Sequence, residues 1–215
     1  MKSCLEADSL LKSYGHKVIL SDVYLRCETG ELVALWGRNG SGKSTLSEIV
    51  FGTVRAEHAF VRINEKVVTG KAYRTGQIAF LPQYHFLPPD LKVRQVLRLA
   101  GMSHVTSLFQ GGGMPVESER LKNLSGGTLR LLEILYVTTR PVPFLLLDEP
   151  FSGLSPVLVE AVSHYLQDLS KEKGLVVADH NHCALCAIAT RHLLLADGCL
   201  RSLAAPELLK GDYLP

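Results

Sequence analysis

The chain has 215 residues, 47% of them hydrophobic and 20% charged, and a net charge of +2 from 23 basic and 21 acidic residues. So balanced a charge speaks against the basic stripe of a nucleic-acid binder, and the longest apolar runs are strand-sized, far below the ~18 residues of a membrane span. Met1-Lys2-Ser3-Cys4-Leu5-Glu6 shows no apolar leader, and five cysteines in such a chain fit reduced thiols in the cytoplasm.

Residues 5–33 read as short strands separated by turns, and 31–36 as an apolar strand feeding a glycine-rich loop. The loop, Gly37-Arg38-Asn39-Gly40-Ser41-Gly42-Lys43-Ser44-Thr45, matches G-x-x-x-x-G-K-[ST] in full. Its glycines let the backbone curl so that several N–H groups point at phosphate oxygens. A helix expected from there to about Phe51 adds its positive N-terminal end. Lys43 is placed to reach the β- and γ-phosphates of a nucleotide, and Ser44 to offer its hydroxyl to Mg²⁺.

Residues 60–63 and 67–68 read as a hairpin, and 77–81 as a strand stopped by Pro82 that delivers Gln83. Residues 91–100 have helical spacing, before Gly111-Gly112-Gly113 and Pro115 break the chain. Residues 84–123 are therefore expected to be a small helical insert in an α/β core made of 1–83 and 124–215.

Leu124-Ser125-Gly126-Gly127-Thr128 leads into a helix expected over 128–138, which makes it a further anion site. Residues 144–147 read as a fully apolar strand ending in Asp148-Glu149. Charges at the end of a buried strand are costly without partners. A nucleotide-bound Mg²⁺ would partner Asp148, and Glu149 would polarise the attacking water as general base.

Ser155-Pro156 opens the next helix, with Ser as cap and Pro at the first helical position, and Gly174 is expected to end it. Residues 175–178 form another buried strand, which delivers Asp179 and His180. Residues 193–196 and 199–203 flank the hairpin turn Asp197-Gly198. Apolar strands alternating with helices imply a mainly parallel sheet behind an N-terminal antiparallel β region, the α/β organisation of a P-loop NTPase. Ligands of such sheets bind at the carboxyl ends of the strands, so Gln83 and His180 are expected to face the γ-phosphate and the attacking water. His180, His182, Cys183 and Cys186 superficially suggest a metal cluster. No second Cys or His pair accompanies them, and residues 183–190 have the composition of a packed helix.

The order of phosphate loop, Gln83, Leu-Ser-Gly-Gly, Asp148-Glu149 and His180 resembles the ATP-binding cassette (ABC) ATPases over nearly the whole chain. The resemblance implies an ATPase whose Ser125, Gly126 and Gly127 bind the γ-phosphate held by a second subunit, so that a head-to-tail homodimer or paired cassette sandwiches two ATP. It implies that Tyr14 stacks on adenine and that Ser44, Gln83 and Asp148 hold Mg²⁺. Lys43, Gln83, Glu149 and His180 serve turnover on this reading. It further implies a cytoplasmic subunit, peripheral on the inner face of the membrane, that drives separate integral membrane subunits received near Gln83 and the helical insert; Tyr84, His85, Phe86 and Leu87 supply either that docking surface or the packing of the insert against the core. Asp179-His180-Asn181 is similar to the corresponding segment of the lipopolysaccharide-export and branched-chain amino acid ATPases. Two positions depart from the family pattern: Thr128 stands where Gln is usual, and Ser155 where Asp is usual. The competing functions are a soluble ABC regulator acting on ribosomes or DNA, and an ATP-binding switch with little hydrolysis.

Overall fold

The computed structural model describes residues 2–102 and 116–204. Two long antiparallel strands, β1 (Cys4–Tyr14) and β2 (Lys17–Glu28), replace the expected series of short ones. Their pairing shifts register between Ala7 and Leu10, Leu10 and Lys12, and Lys12 and Ser13, and Ser9 and Asp22 take φ of 54° and 53°. Such bulges break the strict alternation of one long strand, so the sequence pattern reads as several.

The remaining elements follow in order: β3 (Leu32–Trp36), α1 (Lys43–Phe51), β4 (His58–Ile63), β5 (Lys66–Val67), β6 (Ile78–Leu81), α2 (Val93–Leu99), α3 (Gly126–Thr138), β7 (Phe144–Asp148), α4 (Pro156–Ser170), β8 (Gly174–Ala178), α5 (His182–Ile188), β9 (Arg191–Ala196) and β10 (Cys199–Ser202). The four N-terminal strands form an antiparallel sheet in the order β2-β1-β4-β5. The other six form a sheet in the order β10-β9-β3-β8-β7-β6, parallel except for the β9–β10 hairpin.

Strands β3, β7 and β8 are buried along their whole length, which explains their unbroken apolar sequences. Alternate residues serve opposite faces. Leu32, Ala34, Trp36, Leu145, Leu147, Leu175 and Val177 pack with α2, α3, α4 and α5. Val33, Leu35, Leu146 and Val176 pack with α1 and the antiparallel sheet. Within residues 84–123, the described part holds α2 and a 3₁₀ turn, Leu121–Asn123. Val93, Val96, Leu97 and Leu121 join the same core as α3. The expected break at Gly111 to Gly113 and Pro115 lies outside the described residues.

Gly174 has a different job from the one expected of it. Helix α4 ends at Ser170, and Gly174 begins β8. A Cβ there would lie 2.8 Å from the Glu28 carbonyl oxygen, 2.8 Å from Phe144 Cδ1 and 3.0 Å from Cys27 Sγ. The glycine lets β8 pass close under the N-terminal sheet. Overpacking of this kind costs about 1–3 kcal/mol. Gly174→Ala is expected to lower unfolding stability by about that amount, measured by denaturant unfolding against the parent.

Candidate active site

Strand β3 delivers the glycine loop, and α1 starts directly from it. Gly42 is the N-cap of α1 with φ 107°, a conformation that side chains rarely adopt. Lys43 is buried, and its Nζ donates to the carbonyls of Gly37 at 2.7 Å and Arg38 at 3.2 Å. Burial pushes its pKa down, and the carboxylates of Asp148, Glu149 and Asp179 pull it back up. An ammonium held this way sits ready among inward-facing backbone groups.

Asp148 is the last residue of β7 and is buried. Burial raises the pKa of its carboxyl, while a hydrogen bond from the Ser44 hydroxyl lowers it. Glu149 follows at φ 50°, and its N–H donates to the Ala178 carbonyl at 2.7 Å. Its Oε1 accepts a 2.9 Å hydrogen bond from Gln83 Nε2 and lies 3.0 Å from His180 Nε2. Three strand ends thus converge on one carboxylate oxygen.

Asp179 braces that arrangement from below. It accepts from the backbone N–H of Phe151 at 2.8 Å and of Asn181 at 2.7 Å. Burial raises its pKa and the two N–H groups lower it. Together these elements enclose a cleft of about 440 Å³ lined by Tyr14, Ile19, Asn39, Gly40, Gly42, Lys43, Ser44, Thr45, Gln83, Glu149 and His180. Tyr14 is 52% exposed at its rim, with Lys12 Nζ 4.7 Å from the ring centroid, so its ring is free of the core. Arg38 and Ser41 line an adjoining hollow.

Ser125, Gly126 and Gly127 do not line this cleft. Ser125 caps α3 and accepts from Thr128 N–H at 3.2 Å, with the two hydroxyls 2.8 Å apart. Ser125 and Gly126 are exposed. A Cβ on Gly127 would lie 2.6 Å from the Gly153 carbonyl oxygen, so this helix start packs tightly on the loop after β7. Ser155 caps α4 as expected, accepting from Leu158 N–H.

The sequence pattern of the ABC transporter family matches residues 20–152, well over half of the chain. The chain belongs to the ABC transporter family. It is 29% identical to a lipopolysaccharide export system ATP-binding protein LptB of Acidithiobacillus ferridurans, over 99% of this chain and 94% of that protein. It is also 29% identical to a thiamine import ATP-binding protein ThiQ of Vibrio parahaemolyticus, over 88% of this chain and 86% of that protein. A solved ATP-binding subunit of an ABC transporter shares the fold with a TM-score of 0.76 at 23% identity, covering 93% and 90% of the two chains. A nucleotide-free ATP-binding cassette superposes with the same TM-score, 0.76, at 21% identity over 92% and 89%. The protein is thus an ATPase subunit of the ABC transporter type.

Two features of this ABC ATPase sharpen the sequence reading. Of the four residues expected either to offer a docking surface or to pack the insert on the core, Tyr84 is 66% exposed and His85 is exposed, while Leu87 is buried in the core and Phe86 is half-buried against Tyr136. The chain turns inward there because Glu133 accepts from the N–H groups of Phe86 and Leu87. The second feature is the pair Arg130 and Glu133, which the sequence reading passed over. They are 1% and 0% exposed, and their signal was two opposite charges three residues apart inside an apolar helix. The His180 to Cys186 cluster is dispersed: His182 stacks on Trp36 with centroids 5.0 Å apart, Cys183 is exposed and Cys186 packs on the core.

Proposed function

We propose that this subunit binds ATP with Mg²⁺ in the cleft and hydrolyses it as half of a head-to-tail dimer. Adenine stacks on Tyr14, and residues 37–45 with the start of α1 cradle the phosphates. Lys43 exchanges loop carbonyls for β- and γ-phosphate oxygens. The observation that carries the reading is the meeting of Gln83 and His180 on Glu149 beside Lys43 and Ser44.

Glu149 takes the proton of the attacking water as general base. His180 and Gln83 hold that carboxylate in one orientation, and His180 faces the γ-phosphate. This convergence favours turnover over a non-hydrolysing ATP switch. The Ser44 hydroxyl, the Asp148 carboxylate and the Gln83 carbonyl are oxygen donors, the set a Mg²⁺ ion prefers. The buried Asp148, with its raised pKa, fits a site that a cation completes. When bound, the metal neutralises charge on the transferred phosphoryl group.

The second subunit supplies Ser125, Gly126 and Gly127. What supports this is that one chain presents two helix starts suited to phosphate, α1 and α3, and only α1 borders the cleft. Residues 84–123 act as the subdomain that faces integral membrane subunits, with Tyr84 and His85 exposed toward them. No helix among the described residues is long and apolar enough to cross a membrane. On this reading the ATPase works at the cytoplasmic face of the membrane, through those separate subunits.

Lys43→Ala is expected to weaken ATP binding at least about tenfold in equilibrium titration, because a charged donor to phosphate is worth ~1.5–3 kcal/mol. Parent-like affinity would refute the phosphate cradle. Glu149→Gln is expected to keep ATP binding, cut turnover about 100-fold or more and leave an ATP-held dimer in size-exclusion chromatography. Undiminished turnover would place the base elsewhere. Ser125→Arg is expected to abolish turnover while monomers still bind ATP. Hydrolysis independent of both Ser125 and protein concentration would rule out the sandwich.

A further inference from the structure

We infer that Arg130 is a positioning residue for ATP hydrolysis, which locks Gln83 and Glu149 into a common geometry by gripping the backbone just before and at those residues. The inference rests on the reading of Glu149 as the general base.

One guanidinium reaches three strand-end carbonyls. Arg130 Nη1 donates to the Pro82 carbonyl at 2.8 Å, immediately before Gln83. Nη2 donates to the carbonyl of Asp148 and, at 3.0 Å, to that of Glu149. The planar fork suits this task, since five donors in fixed directions hold several acceptors at once. The guanidinium is itself held by Glu133, whose Oε2 lies 3.4 Å from Nη1. Glu133 in turn accepts from Phe86 N–H at 2.9 Å and lies 2.9 Å from His85 Nδ1. Helix α3, the loop from Pro82 to Leu87 and the end of β7 are thereby tied into one buried network.

Glu149 is where such a grip has consequences. A glutamate at φ 50° is in a region that non-glycine residues rarely adopt, and the conformation persists only where neighbours over-determine it. Its N–H is fixed by Ala178, its carbonyl by Arg130 at 3.0 Å and by Ser152 N–H at 3.2 Å, and its carboxylate by Gln83 and His180. Without Arg130 the Glu149 carbonyl keeps only Ser152, and the Pro82 and Asp148 carbonyls lose their shared donor, so the two peptides shift relative to each other and carry the carboxylate out of line with Gln83. Because Arg130 follows Ser125 on the same helix, the residue that orients the base also belongs to the element that reaches the second subunit.

The test compares Arg130→Met, Arg130→Met/Glu133→Gln and Arg130→Lys in the full chain. Arg130→Met strands the Glu133 charge and is expected to lose both stability and kcat. The double variant removes both charges, keeps an acceptor for Phe86 N–H and is expected to regain part of the lost stability, with the strand-end carbonyls still short of their donor. Its ATP affinity is expected within about twofold of the parent, with kcat still down about tenfold or more, as misplacement of a reacting group predicts. Arg130→Lys keeps a cation beside Glu133 but cannot span three carbonyls, so its kcat is expected to fall with ATP affinity unchanged. Parent-like kcat in the double variant or in Arg130→Lys would overturn the inference, as would a loss of ATP affinity that matches the loss of kcat. A parent chain without ATPase activity, or one indifferent to Glu149→Gln, would instead strike the reading beneath it.

Discussion

The register of three parallel strands sets the geometry on which the site depends. Leu81 pairs with Leu147, and Leu147 with Val177, so these three lie in one row at the end of β6 and one residue before the ends of β7 and β8. Two residues beyond that row stand Gln83, Glu149 and Asp179, with His180 next. Their meeting follows from the hydrogen-bond ladder, because a parallel ladder advances all strands together. Strand β3 lies on the other side of β8 and delivers the phosphate loop to the same edge. A slip of one residue in any of these pairings would exchange the side chains that pack on the two buried faces and carry Gln83, Glu149 or His180 out of line, so the buried core and the site share one constraint.

Around that row the protein gathers charges that would be costly in isolation. Asp148 and Asp179 have raised pKa values and Lys43 a lowered one, all from burial first. Each is countered by neighbours: Ser44 for Asp148, two backbone N–H groups for Asp179, and three carboxylates for Lys43. Buried charges persist under these conditions only when hydrogen-bonded and paired. The result is a set of groups already held in place by the protein itself, which suits the proposed phosphoryl transfer, a reaction governed by positioning and electrostatics more than by covalent chemistry.

The start of α3 uses similar means for a different end. Ser125 caps the helix with help from Thr128, and Gly127 fits against Gly153 in the loop after β7. Thr128 departs from the family pattern yet keeps the cap in place, and Ser155 caps α4 in the same manner. Ser155 preserves the start of α4 by hydroxyl capping, since a short side-chain oxygen can satisfy an early helical N–H, while the Thr128 hydroxyl meets that of the capping Ser125. Farther along α3, Arg130 and Glu133 turn inward and link it to the loops bearing Gln83 and Glu149.

Much was legible in the chain before any coordinates. The glycine loop, the apolar strand ending in Asp148-Glu149, the helix start at Ser125 and the hairpin turn at Asp197-Gly198 each rest on local chemistry: backbone freedom, strand burial, capping and turn preference. Such features survive in short windows, so the sequence by itself determined the α/β class, the phosphate loop and the residues that face it. The long bulged strands, the role of Gly174 and the inward turn at Leu87 were decided only by tertiary structure. In each case the cause is a neighbour distant in sequence: shifted strand pairing for β1 and β2, Phe144 and Glu28 for Gly174, Glu133 for the loop before Leu87. Arg130 belongs with them. Its charge was plain in the sequence, but its three carbonyl partners come together only when β6, β7 and α3 pack.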